Sequence, residues 1–558
     1  MVGLLLLLAL WSVRPIFHGF AMFFYKSPLV WFPPLLVLGL GAVAMRFTGG
    51  AATRPAGRPL DPRDEVLDLR ARRGRFSWRE RVLAGERPSG GVTVTLALAF
   101  ATFMVCSLLN EPLTARSMYN NTSFAQIPSL PAGGVPRLVP RDVAVQITSS
   151  GFNSPTEHLT DFRIVRTVKG LAWTALRTPN TALRQLTKKS EGIVTLDAQQ
   201  TERRVTSSDA RFETAPGLQL TDNLRWRLLK KHYLVDLTDP VAILDRRGRP
   251  LILAPYITYE GLLVRRPVLG GAFVVHPDGE IEDLSPEQAR QRAEIAGSGR
   301  LFPEQLARRI QDSYAYKRGI WNRFFLHEEQ TQITDTEVNR QPYMIDFGSR
   351  GAKWVTVAEP FGRAFAVNSI FLTDTVTGET AIWRVPRGLD LSGNRRAIQT
   401  VRSAAIPGIV FAGGADPARP SAGGGFRVVE PRPVFVAGRL VYLISIVPEQ
   451  ANSVTKSVIV DAARNKVVAI FDHDSDPQAD ARAIRYLATG EIPADATPTG
   501  EAAPAEEKTP TATPRQDTPG DGRPLTRREI ERRIDGIVER QRELLREAEE
   551  LERALSRR

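Results

Sequence analysis

Three long apolar stretches fall within the first 110 residues of the chain. Residues 1–25 read MVGLLLLLALWSVRPIFHGFAMFFY, with Arg14, Pro15 and His18 as interruptions. A cleavable leader ends its apolar run at a small-residue site, whereas here apolar character resumes at Phe17 and continues through Phe24. The stretch therefore predicts an uncleaved membrane span with a polar break. An arginine inside a span costs a few kcal/mol unless it snorkels or pairs. Arg14 and His18 are accordingly a candidate intramembrane polar site, unless Arg14 sits at the interface of a shifted span. The second stretch, Pro28 to Met45, is short, with Trp31 and Phe32 suited to an interfacial belt and Pro33-Pro34 in its first turns. It predicts a helical hairpin with the first stretch, turning at Lys26-Ser27-Pro28. The third, Gly91 to Leu109, carries no charge and no proline. At about 1.5 Å per residue it is long enough to cross, or nearly cross, a ~30 Å hydrocarbon core.

The pattern then changes. Residues 110–139 are rich in Pro, Ser, Asn and Gly and read as a tether, with glycosylation sequons overlapping at Asn120-Asn121-Thr122-Ser123. Residues 140–490 predict a strand-dominated α+β region, divisible into subdomains at 140–340 and 341–490. Four stretches join two β-rich runs through a turn containing Asp, Asn or Gly: 241–253, 272–284, 370–383 and 457–471. Such turn residues tolerate positive φ, so each stretch predicts a hairpin. Their irregular spacing argues against a solenoid. Ser285 with Gln288 forms a capping box that opens a helix to Ile295. A second helix is predicted over Pro303–Trp321, with Leu306, Ile310 and Tyr314 at helical spacing. Pro-Gly-rich residues 412–425 read as an exposed loop. Over a few dozen residues, a hairpin beside a helix with Asp374-Thr-Val-Thr-Gly-Glu379 resembles small extracytoplasmic domains of the PepSY type. That resemblance implies a non-catalytic domain that binds or regulates a partner.

Residues 491–525 contain almost no large apolar side chain and cannot bury a core, which predicts a disordered linker. Residues 526–558 predict a coiled-coil helix. Thr526-Arg-Arg-Glu529 is a capping box, and Ile530, Ile534, Ile537, Leu544, Leu551 and Leu555 fall on a heptad seam, with Gln541 and Ala548 as its weak positions. The seam predicts a homo-oligomer or a partner helix.

The formal net charge is +13, almost all from arginine. The arginines are interleaved with acids and lack the clustering with aromatics that nucleic-acid binding requires, so no nucleic-acid partner is expected. Residues 46–90 hold eleven arginines against six acids. The positive-inside rule places this loop, and by alternation the N-terminus, in the cytoplasm; everything after Leu109 is then extracytoplasmic. Such a loop also favours contact with anionic headgroups of the bilayer. The single cysteine, Cys106, allows neither an intramolecular disulfide nor a Cys-based zinc site.

Candidate chemistry is sparse. His327-Glu328-Glu329 lacks the second histidine of a zinc helix, and Asp472-His473-Asp474-Ser475-Asp476 lacks the glycine and closing glutamate of a calcium loop. There is no G-x-S-x-G, and Ser349 and Ser421 have no histidine nearby in sequence. Gly413-Gly414 and Gly423 to Gly425 lack the Lys-Ser/Thr of a phosphate loop. Aromatic and basic residues alternate between Tyr314 and Phe325, a candidate groove wall or a buried helix. No catalytic residue, cofactor or metal is therefore expected. The sequence points to a multi-pass protein of the cell membrane, a non-enzymatic scaffold or assembly component of an envelope complex whose extracytoplasmic domain binds a protein partner. The alternatives are a membrane-bound hydrolase with a site assembled from distant residues, and an accessory subunit of a transport complex using Arg14 and His18.

Overall fold

The computed structural model describes residues 13–48, 90–152, 154–202, 204–245, 247–335, 341–362, 365–411, 425–449 and 453–491. The arginine-rich loop, the linker and the heptad helix with Ile530, Ile534, Ile537, Leu544, Leu551 and Leu555 lie outside the described residues.

Two helices among the described residues are long and apolar enough to cross a membrane: α2, Pro28–Thr48, and α3, Gly90–Asn120. Only 6 % of the apolar window of α3 is buried, so it is not the core helix of a soluble domain. Leu35, Leu36, Leu40, Leu96, Phe100 and Leu108 are all more than half exposed. α2 and α3 lie side by side, with Gly41 against Thr95 and Met45 against Gly91. A Cβ on Gly41 would sit 2.2 Å from Thr95 Cγ2, so glycine is what permits the close approach. At the other end of the pair, Asn110 Nδ2 donates to Ser27 Oγ at 3.5 Å.

The helical hairpin thus joins the second and third apolar stretches, not the first and second as expected. The described part of the first stretch is a 3₁₀ turn, Arg14–Phe17, and a nine-residue helix α1, His18–Lys26. At about 1.5 Å per residue α1 is well short of a bilayer. It packs instead on the domain that follows: His18 is buried, and Tyr25 makes an edge contact with Tyr259.

The expected tether is ordered structure. α3 continues past the apolar run to Asn120, and its Met118 is buried in the domain core. Phe124–Gln126 then pairs in parallel with Thr380–Arg384, and Val135–Pro136 pairs with Tyr343–Asp346. One short segment so covers both edges of a single sheet, which protects them from pairing with another chain.

Among the described residues from 141 to 472 one plan repeats four times: a helix, then an antiparallel four-stranded meander. The helices are α4 Arg141–Gly151, α5 Leu224–Lys231, α6 Glu304–Ser313 and α7 Asn394–Ser403. Their starts are roughly 80–90 residues apart, a period that irregular loops conceal in the sequence. The meanders run over 157–208, 241–284, 343–384 and 426–472, with Asp236–Leu237 and Thr331–Gln332 as additions at the edges of the second and third. A further helix, α8 Ala479–Thr489, covers the fourth. All four expected hairpins are present, at 241–253, 272–284, 370–383 and 457–471.

The same aspartate chemistry closes the last hairpin of several meanders. Asp197, Asp374 and Asp461 end the third strand of the first, third and fourth, and each Oδ1 accepts a backbone N–H two residues on. The first and second meanders share apolar clusters, as do the third and fourth. A further cluster draws Trp173, Ile257, Trp354 and Val447 from all four sheets, together with Met118 of α3. Each such buried side chain contributes roughly 1.5–3 kcal/mol. α3 therefore ends inside the common core.

Candidate functional site

A cleft of about 720 Å³ opens where α2 and α3 meet the domain. Its floor is the α1–α2 junction, Lys26 and Ser27, beside Asn110 and Glu111 of α3. One wall is the hairpin turn of the second meander, which is fixed to α2 because Leu29 N donates to Leu263 O at 3.2 Å. The other wall is α6 and the turn after it. Arg116 of α3 holds that turn by donating to the carbonyls of Tyr316 (2.5 Å) and Lys317 (2.9 Å).

The cleft is basic. Lys26 is neutralised by Asp236, which also accepts the Tyr259 hydroxyl. Arg265, Arg309 and Arg323 line the space too. Arg265 lies 4.4 Å from the Tyr25 ring centre, and its buried Nε has no hydrogen-bond partner. Arg323 lies over Tyr316 and Phe361, at 5.9 and 5.6 Å. Their neighbours behave differently. Arg266 pairs with Glu260, and Arg308 with Asp312 and Asp335. Among the described residues, Arg265, Arg309 and Arg323 have no carboxylate within 4.0 Å.

Arg14 and His18, the expected intramembrane pair, both reach residues 230–236. Arg14 donates to Lys230 O and receives the Tyr233 hydroxyl on its own carbonyl. His18 Nε2 lies 3.0 Å from Val235 O and donates to it; burial holds the imidazole below its ordinary pKa. The Tyr314–Phe325 stretch divides. Tyr314 is buried against Phe371, Tyr316 and Arg323 line the cleft, and Trp321, Phe324 and Phe325 are exposed on Trp321 and the π-helical turn Asn322–Leu326.

His327 stacks on Phe361 at 4.2 Å, and Glu328 and Glu329 both pair with Arg318. No group of three metal-ligating side chains exists among the described residues. His473, however, joins a chain that sequence spacing did not reveal. Its Nε2 is 2.8 Å from Ser457 Oγ, and its Nδ1 is 3.0 Å from Asp480 Oδ1. Asp480 also accepts from Thr201 N, and its carboxyl pKa is lowered by His473 and Thr201 against the effect of burial. The order Ser–His–Asp is that of a hydrolase relay. Yet Ser457 is 0 % exposed, so a substrate carbonyl cannot reach Oγ while the sheet is closed. As built, the chain braces the fourth meander to the Thr201 loop.

A second buried polar group lies at the centre. Glu430 sits between Arg137 (3.0 Å) and Arg432 (3.5 Å) and accepts Arg141 N at 3.1 Å. Both arginines hold its carboxyl pKa below the ordinary range despite complete burial.

The sequence matches no protein-family model and no curated protein. Among solved structures, the chain is similar to a proposed glycoside hydrolase from Bacteroides ovatus, with TM-score 0.19, 10 % identity and coverage of 61 % of this chain and 82 % of that one. A proposed glycosidase from Bacteroides thetaiotaomicron gives 0.18, 11 %, 60 % and 82 %. A glycosyl hydrolase from Bacteroides ovatus gives 0.17, 8 %, 63 % and 83 %. Likeness at this level carries no argument about fold or activity.

Proposed function

We propose that the chain is a membrane-anchored, non-enzymatic scaffold of the cell envelope. α2 and α3 cross the membrane as a hairpin, the arginine-rich loop faces the cytoplasm, and the four meanders stand outside and bind a protein partner. The observation that carries this reading is the end of α3 in the shared core, with Met118 buried among side chains of all four sheets. A domain welded to its anchor holds one pose above the bilayer, which suits assembly of neighbours. The heptad helix at 526–558 then joins copies or captures a partner helix.

Light scattering in detergent compares the full chain with a chain ending at Gly490. A defined oligomer for the first and a monomer for the second is the expected result. Two monomers would remove self-assembly through the tail.

The Ser457–His473–Asp480 chain favours a second reading, a membrane-bound hydrolase. A fluorophosphonate probe on the full chain separates the two. No covalent labelling is expected; labelling abolished by Ser457→Ala would establish the hydrolase instead.

A further inference from the structure

We propose that the basic cleft at the foot of the domain is a headgroup site for an anionic membrane phospholipid. The proposal rests on the reading that α2 and α3 cross a bilayer. Three observations point to it.

The first is position. The floor of the cleft is Ser27 and Asn110, where α2 begins and the apolar run of α3 has just ended. On that reading it lies at headgroup level, and a lipid in the outer leaflet can place its phosphate in the cleft with its chains along the exposed face of the helices.

The second is charge. Guanidinium groups fork onto phosphate oxygens through paired N–H donors. Arg265, Arg309 and Arg323 approach the cleft from two walls and have no carboxylate within 4.0 Å among the described residues, whereas Arg266, Arg308 and Arg318 are paired. The basic groups outnumber the cleft acids: Asp312 pairs with Arg308 and also acts on Arg323, and Glu111 is the second acid, against Lys26 and the three arginines.

The third is the apolar surface beside each arginine. Leu262 and Leu263, next to Arg265, are 84 % and 40 % exposed, and Trp321, Phe324 and Phe325, around Arg323, are 66 %, 51 % and 62 % exposed. Exposed tryptophan, phenylalanine and leucine mixed with arginine are what the interface of a bilayer accommodates. On both walls the basic group and the apolar tip fall within three residues of each other.

The test uses the full chain in detergent, titrated with short-chain phosphatidylglycerol, short-chain phosphatidylcholine and inorganic phosphate, with the thermal midpoint as readout. Phosphatidylglycerol is expected to raise the midpoint well above the other two. In the triple variant Arg265→Gln, Arg309→Gln, Arg323→Gln its affinity is expected to fall at least about tenfold. A control, Arg247→Gln with Arg395→Gln, removes two arginines outside the cleft and should titrate as wild type. An equal response to phosphatidylcholine overturns the proposal, and so does an unchanged response in the triple variant. An equal response to inorganic phosphate assigns the arginines to a free anion and overturns the lipid assignment. Carbonate extraction of membranes separates the two levels. Release of wild-type chain breaks the anchor reading itself, while retention with no phosphatidylglycerol preference breaks only the lipid site.

Discussion

The side chain on which the centre of the domain depends is Glu430. It is fully buried between two arginines, and the local backbone pays for its placement with φ of 51° at a bulge between Val429 and Arg432. Glu430→Gln keeps the shape and removes the charge, leaving Arg137 and Arg432 buried without their anion. The expected cost is about 3–5 kcal/mol in denaturant unfolding of the full chain in detergent. The pH dependence follows from the lowered pKa. The charge-borne stability is complete above the unfolded glutamate value, near 4.5, and is lost as pH falls through the lower folded value. The gap between wild type and variant should therefore be constant near neutrality and close in acid; a gap independent of pH would contradict the account. Nothing in the sequence marked this group, because Arg137 and Glu430 are 293 residues apart. The same holds for Ser457, His473 and Asp480, where His473 stood out only as part of an incomplete calcium loop. Arg265, Arg309 and Arg323 were equally hidden in a chain rich in arginine, since what distinguishes them is the missing carboxylate.

Elements were more legible than their partners. Each expected hairpin carried its own local instruction: Asp374 accepts the backbone N–H groups of Val376 and Thr377, and Gly378 supplies φ of 79° where a Cβ would strike the Phe302 ring. The capping box at Ser285 and Gln288 is present, although the helix breaks at Arg292 into two short ones, Pro286–Gln291 and Ala293–Ser298. Hydropathy recorded the length of the apolar stretches but not which pair together. That choice depends on small residues at the contact, Gly41 opposite Thr95. Gly41→Leu should force α2 and α3 apart and cost about 1–3 kcal/mol, read as a lower thermal midpoint in detergent. Gly39→Leu, where nothing lies within 4 Å, should be silent. Equal effects of the two would mean that the helices do not pack as described.

For the whole molecule, the sequence conveyed an apolar N-terminal part followed by a mixed α+β region, and both are present. The fourfold plan of helix and meander escaped it because the repeat lies in topology, while insertions such as Pro286–Ser298 shift the register of any sequence period. The tether reading failed for a physical reason: Pro, Ser and Asn between Asn110 and Val139 mark turns, and short segments between those turns pair with sheet edges and thread the core.

On the proposed reading, α2 and α3 anchor the chain with residues 13–26 and the domain on one side of the membrane and the arginine-rich loop on the other. Membrane-impermeant maleimide labelling tests it most directly. In a Cys106→Ser background, single cysteines replace Val168 on the domain, Ile16 before α1 and Ser77 in the loop; Val168 and Ile16 are highly exposed. In intact cells the cysteines at 168 and 16 should label, and the one at 77 should label only after permeabilisation. Labelling at 77 with protection at 168, or protection at 16 while 168 reacts, would contradict the account.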